Sequence, residues 1–441
     1  MLDTVAHRGP DARGIERVGD FWLGHVRLSI MDPDARANQP MRVGDTVVTY
    51  NGETWNWKEL RKSWSRTHCD TEVVAAVLDE HGVGGLAMLE GMMAVAWVGR
   101  DGLLRVARDR FGEVPLWIHP SGAACSERKG LAAAGFEPGV ARLLAPGAVA
   151  TWGVGGWQED AYYEPPTASG GQLRAILGGA IAERAMSDVP VCVLLSGGLD
   201  SSVITALLAR HVPGLVAYTA VMDPRSHDLR AARVVAEHVG VRLVEVKIPE
   251  PTAADLAEVV RIIETPAKAQ VEIGHACVHL AAAMRSDGYK VTYSGEGADE
   301  LWGSYGANGN SSVMYHGIKQ HGWFGFRRKL VRDQHRKNFL RANNAFMRHG
   351  VECRLPWLHR PIMELGLSMS LEEVRVNGRA KGCVEEAMRG ELPDVVLTRA
   401  KLAFQDGLGI KPIAAAVTGG KPRAWYAAAD RAGTLAQGEL W

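Results

Sequence analysis

The sequence predicts an α/β protein in two unequal halves that meet near residue 155. Three observations carry that expectation. At 441 residues the chain is too long for one ordinary core, so two or three domains are expected. Residues 20 to 155 read as short strands and tight turns, the pattern of antiparallel sheet. Beyond residue 170, apolar strand-like runs alternate with amphipathic helices, the sequence form of a parallel sheet flanked by helices.

Taken in order, MLDTVAH opens like the last turns of an amphipathic helix, with Met1, Leu2 and Val5 at helical spacing and no capped start before them. FWLGHVRLSIMD, DTVVTYNGE and GMMAVAWVGRDGLLRVARD read as strands, the last folding back at Arg100-Asp101-Gly102 as a hairpin. One helix is expected near residues 70 to 89. TWGVGGWQEDAYYEPPTASGG is rich in Gly and Pro and reads as a linker. The expected division is therefore a first domain at 1–155, a linker at 156–170 and a second domain at 171–441. There, VPVCVLL, SSVITALLARH, LVAYTAVM, LRAARVVAEHVG and RLVEVKI alternate strand and helix, YKVTY adds a strand, and helices dominate from about residue 310.

Composition excludes several classes. Hydrophobic content of 46% and charged content of 23% are those of an ordinary globular protein. Fifty basic residues balance 50 acidic ones, so no global field recruits nucleic acid or an acidic membrane. No apolar run reaches ~18 residues and no signal-peptide pattern opens the chain. The six cysteines include no CxxC pair, which argues against a zinc site or a disulfide framework and suits a reducing, cytoplasmic setting. The basic run FRRKLVRDQHRKNFLRANN is expected to be a solvated helix face or a set of inter-domain ion-pair partners, not a nucleic-acid patch.

The most informative stretch is VPVCVLLSGGLDSSVITALLARH. A buried strand ends at Leu195, two glycines follow, and a helix begins near Ser201. Gly197 and Gly198 let the backbone curl so that N–H groups converge, and the helix dipole adds positive potential: an anion site. Ser196, Ser201 and Ser202 add hydroxyl donors. Asp200 would repel a bare phosphate, so its presence points to a bridging Mg²⁺. No GxxxxGK[ST] occurs, so the loop is not a Walker A motif.

SGGLDSS resembles the pyrophosphate loop of ATP-pyrophosphatases, a class that includes asparagine, GMP, argininosuccinate and NAD synthetases; the loop alone does not choose among them. YSGEGADELWGSY resembles the second signature loop of the asparagine synthetase family, which also covers the β-lactam-forming synthetases. GVECRLPWLH and RAKLAFQDGLG match that family's C-terminal helical elements. In the first half, AHRGPDARG, GHVRLSIMD, QPM, YNGETWNWKELR, CDTEV and ARDRFGEVPL resemble its class II glutamine amidotransferase domain. The likeness spans nearly the whole chain. It implies an α/β/β/α glutaminase-like sandwich followed by an adenine nucleotide α-hydrolase-like domain with a helical C-terminal part. The reaction it implies uses ATP and Mg²⁺: a carboxylic acid is adenylated, then ammonia or an amine displaces AMP.

The resemblance assigns roles residue by residue. Asp200 and Asp299 would hold Mg²⁺ on the pyrophosphate, and Lys401 would neutralise phosphate charge. Glu296 stands where amide-forming members carry the base and β-lactam-forming members a tyrosine. Leu194, Val221, Ser294 and Gly295 match adenine- and ribose-side positions. Arg27 would grip the glutamine carboxylate, Asn51 and Gly52 form an oxyanion hole, and Glu53 and Asp70 belong to the same glutamine pocket. The family's glutaminase nucleophile is an N-terminal cysteine, which Met1-Leu2 does not supply, so the chain as numbered is not expected to hydrolyse glutamine. Either the domain is a relic kept for packing, or translation starts upstream; a native N-terminus read by mass spectrometry decides.

One departure concerns the acceptor. In IETPAKAQVEIGHAC, Glu272 takes the place of an arginine in aspartate-using relatives. Charge reversal at an acidic-substrate site would disfavour free aspartate and favour an acid bearing a cationic or hydrogen-bond-donor group. Expected partners are thus a small carboxylic acid and glutamine, ammonia or another amine, with a homodimer as an option and no membrane. Two alternatives stay open: a specialised-metabolism amide synthetase using a non-aspartate acid and a larger amine, and a catalytically silent nucleotide-binding relative.

Overall fold

The computed structural model describes residues 1–303, 312–315, 318–399 and 403–436. In the first half, a six-stranded antiparallel sheet runs in the order Gly156–Ala161, Ala148–Gly153, Leu104–Arg108, Gly91–Val98, Thr46–Thr54 and Met41–Val43. The helix Asp70–His81, buried from Asp70 to Leu78, packs on it. A separate hairpin, Ala12–Val18 with Phe21–Arg27, also packs against this sheet. Strand propensity and alternation explain these elements: the Val47–Val48 and Val95–Val98 runs pair in register and are buried on the shared core.

Two expectations about this half need correction. Residues Met1–His7 are not the end of an α-helix; the chain turns there and forms a single 3₁₀ turn, Ala6–Arg8. The segment read as linker is in part a hairpin, with Ala148–Gly153 paired to Gly156–Ala161 at the sheet edge. The Gly-rich run is its turn, where Gly155 and Gly156 take φ of 94° and 103°. The unstructured connection is therefore confined to about residues 162–172.

The second half holds a five-stranded parallel sheet in the order Arg242–Lys247, Val216–Val221, Val191–Leu194, Val291–Tyr293 and Glu352–Arg354. Its central strands are short apolar runs buried by helices, as parallel sheets require. Chain order reverses between Val191–Leu194 and Val291–Tyr293. A crevice therefore opens beyond their carboxyl ends, the place where such sheets bind ligands.

The halves are joined through buried charge. Glu113 takes a forked pair from Arg184, at 3.0 and 3.2 Å, and accepts the Leu355 N–H at 2.7 Å. Trp55 lies between two guanidiniums, Arg184 at 4.9 Å and Arg354 at 5.0 Å. The basic run is structural too. Arg327 is fully buried and donates to the carbonyls of Leu301, Gly366 and Met369, while Arg328 donates to Pro165 and Pro166. No helix among the described residues is long and apolar enough to cross a membrane.

Candidate active site

The strand Val191–Leu194 delivers the chain into the SGGLDSS loop at that crevice, and the helix Leu199–Leu208 begins two residues earlier than the sequence suggested. Gly197 sits at φ 75°, and a Cβ there would lie 2.5 Å from the Ala232 nitrogen and 2.6 Å from the Asp228 oxygen. Only glycine lets this turn press against the helix His227–Val239. The serines set the curl. Ser196 N donates to Ser201 Oγ at 3.1 Å, Gly198 N to Ser196 Oγ at 3.4 Å, and Ser202 Oγ to the Gly198 carbonyl at 2.7 Å. Ser202 is fully buried, its hydroxyl bonded back to the carbonyl one turn earlier rather than facing the cleft.

The second signature loop leaves the neighbouring strand Val291–Tyr293. Gly295 touches the first loop directly: a Cβ there would stand 2.9 Å from Ser201 N. That close approach brings Asp299 opposite Asp200. Lys381 Nζ lies 2.6 Å from both Asp200 oxygens and 2.6 Å from Asp299 Oδ1. Lys381 is buried and holds a left-handed backbone, φ 61°. Two carboxylates from different loops thus converge on one cation. That donor set fits Mg²⁺, which takes one or two carboxylates and completes its shell with phosphate oxygens and water. Among the described residues no cluster of three or more His, Cys, Asp or Glu side chains could hold a metal by itself.

Leu194, Ser196, Asp200, Ser201, Ser294, Gly295, Glu296 and Asp299 line one cleft of about 860 Å³. Gly197, Gly198, Ser202 and Val221 shape its walls without lining it. Lys401 lies outside the described residues. Glu296, about a quarter exposed, pairs with the buried Arg341, whose Nη1 also donates to Gln270 Oε1 at 2.8 Å. Burial pulls the Arg341 guanidinium down and the Glu296 carboxylate more than restores it, leaving it raised.

Glu272 does not line this cleft. It is one helical turn beyond Lys268, fully buried, and paired to Lys268 Nζ at 2.7 Å. Helical geometry explains the correction: Gln270 and Ile273 face the cleft, so Glu272 turns away. Sequence reasoning missed Lys381, Arg341, Gln270 and Asn338. None sits in a motif with a local signature: Gln270 comes from the helix Lys268–Ser286, Asn338 and Arg341 from Asn338–Met347, and Lys381 from the turn before Gly382–Ala387.

The first half has its own cavity, about 480 Å³, and Arg27, Asn51, Gly52, Glu53 and Asp70 all line it. Arg27 is already committed. Its Nη1 donates to Asp34 O and Asn38 Oδ1 at 2.8 and 2.9 Å, and its Nη2 to Met31 O and Asp32 O at 3.0 and 2.6 Å. All four Nη protons are spent on its own loop, so a forked grip on a substrate carboxylate would require displacing loop acceptors. Burial pushes the Asp70 carboxyl up to about 6 although Oδ2 accepts the Thr54 N–H at 2.8 Å. Glu53 is raised by burial and by the Asp70 and Glu352 carboxylates, against the pull of Arg354. Cys69 and Cys125 also line the cavity, but burial raises both thiols, Cys125 to about 11, so neither is a thiolate at neutral pH.

Residues 1–146 match the profile of the glutamine amidotransferase domain, and residues 172–337 and 319–441 that of asparagine synthase. A glutamine-hydrolysing asparagine synthetase of Asparagus officinalis is 34% identical over 444 residues, covering 92% of this chain and 73% of that protein. Asparagine synthetase [glutamine-hydrolyzing] 1 of Arabidopsis thaliana is 32% identical over 447 residues, covering 92% and 74%. Among solved structures, an allosteric regulatory enzyme of purine biosynthesis overlaps 59% of this chain and 73% of its own at 19% identity and a TM-score of 0.31, too loose a likeness to inform the fold. With an anion-binding loop, two converging aspartates and matches to both profiles in chain order, the protein belongs to the asparagine synthase family of ATP-dependent carbon–nitrogen ligases.

Proposed function

We propose that the cleft joins a carboxylic acid to ammonia or an amine in two steps. The acid's carboxylate attacks the α-phosphorus of ATP, and the bond to the bridging oxygen breaks, releasing pyrophosphate and leaving an acyl-adenylate. The nitrogen nucleophile then attacks the acyl carbon, gives a proton to the Glu296 carboxylate, and the acyl–oxygen bond to AMP breaks. The observation that carries this reading is the convergence of Asp200 and Asp299 on Lys381 beside the curled loop.

The loop N–H groups and Lys381 would stabilise the charge that gathers on the departing pyrophosphate. Asp200 and Asp299 would hold Mg²⁺, which when bound would neutralise part of that charge. The low-dielectric surroundings of Lys381 make its charge count for more than a surface lysine's. Ser294 and Leu194, at the ends of adjacent strands, would border the nucleoside. In the first half, Asn51, Gly52, Glu53 and Asp70, which line one cavity, would hold a glutamine.

The test is to supply ATP and Mg²⁺ with a panel of acids, aspartate first, and to follow AMP and pyrophosphate. Acid-dependent exchange of labelled pyrophosphate into ATP is expected. Release of ADP alone, or no nucleotide turnover with any acid, would overturn the proposal. Comparing glutamine, ammonium and larger amines then identifies the nitrogen donor.

A further inference from the structure

We propose that Arg341 is the positioning residue of the amide-forming step, fixing the Glu296 carboxylate and itself fixed by a hydrogen-bonded chain through Gln270, Asn338 and Glu300. The inference rests on the reading of Glu296 as the base. The chain is continuous: Arg341 Nη1 donates to Gln270 Oε1 at 2.8 Å, Gln270 Nε2 to Asn338 Oδ1 at 2.7 Å, and Asn338 Nδ2 to Glu300 Oε1 at 2.8 Å. It ties together three elements. Gln270 stands in the first turn of the helix Lys268–Ser286, and Asn338 and Arg341 share a face of the helix Asn338–Met347. Glu296 and Glu300 both lie in the second signature loop.

Burial makes the pairing stringent. The Arg341 side chain is 1% exposed, whereas Glu296 is 25% exposed and reaches the cleft. A guanidinium so enclosed is costly unless acceptors face it, and Glu296 supplies the charged one. Glu296 is thereby denied the freedom of an ordinary loop carboxylate. The ion pair holds it at one place at the edge of the cleft. Because Gln270 offers its oxygen to Arg341 and its nitrogen to Asn338, the arginine's own geometry is set from behind. Among the described residues, the other titratable or charged groups facing this cleft are Asp200, Tyr218, Lys268, Cys277, Asp299, Lys337 and Arg423, all unaltered in the variants below.

The test compares Arg341→Met, Arg341→Lys and Gln270→Leu in the full chain, with aspartate and ammonium chloride as probes. In Arg341→Met, kcat for amide formation is expected to fall about 100-fold, while pyrophosphate exchange stays within a few-fold. Arg341→Lys keeps the charge and should lose only about tenfold in kcat; Gln270→Leu should lose several-fold, with exchange again preserved. Exchange and amide formation falling together in Arg341→Met overturns the proposal. If Arg341→Met does not fold, wild-type kcat in both other variants overturns it. A melting-temperature cycle with Glu296→Gln needs no substrate: the deficit of Arg341→Met should vanish in that background, and its persistence there also overturns the proposal. Full amide formation by Glu296→Gln would instead defeat the reading of Glu296 as the base, which the melting cycle leaves untouched.

Discussion

Lys381→Met is the sharpest probe of the phosphate end of the cleft. With Nζ 2.6 Å from oxygens of both Asp200 and Asp299, those oxygens stand no more than about 5 Å apart. Two unit charges that close repel by at least roughly 3 kcal/mol at an effective dielectric of about 20. Removing the ammonium should therefore lower the melting temperature by about 5 °C at pH 7.5. Millimolar Mg²⁺ should recover much of that deficit by binding between the carboxylates, with little effect on the wild type. Pyrophosphate exchange should fall about 100-fold or more. Scanning calorimetry with and without Mg²⁺ provides the check. A variant that melts with the wild type, or a deficit that Mg²⁺ leaves unchanged, would refute the reasoning.

Three further outcomes are expected. Gly197→Ala would drive a methyl group against the backbone of the helix His227–Val239, and should cost more than 100-fold in pyrophosphate exchange while leaving glutamine binding to the first half intact by calorimetry. Glu272→Gln should leave the order of preference among acceptor acids unchanged, because the side chain is sealed from the cleft beside Lys268; a reordered panel would restore it to the pocket. Asp70→Asn keeps an acceptor for the Thr54 N–H and removes a carboxyl that burial has pushed up to about 6. The wild type should lose about 2–3 kcal/mol relative to this variant as pH rises from about 4 to 7, giving a higher melting temperature for the variant at pH 7.5 and parity at pH 4. Parallel melting curves across that range would count against it.

What the sequence made legible follows from what is local. The strand–glycine–helix passage around Gly197 is written in consecutive residues, and the Arg100–Gly102 hairpin is likewise a short-range signal. The same holds for the helix from Asp70, which the pattern extended to residue 89 but which ends at His81, Gly82 adopting φ 55°. Reading the 151–161 hairpin as a linker came from weighing glycines over the flanking Val149–Trp152 alternation. Lys381, Arg341 and Asn338 were illegible for a different reason. Each lies at least 38 residues from the groups it contacts, and its role is created by packing alone. Glu272 shows the converse error, since matching positions in sequence said nothing about which way a helix is rolled.

Arg354 backs both chambers. Its guanidinium faces Glu53 at 3.4 Å and Glu352 at 2.8 Å beneath the first cavity, while its carbonyl accepts the Ser294 N–H at 3.0 Å at the root of the loop that carries Glu296. It works as a rivet through two plates. A change there would register in both halves at once and could not tell nitrogen supply from nitrogen use. Asp70 and Lys381, each confined to its own chamber, are where the two can be taken apart.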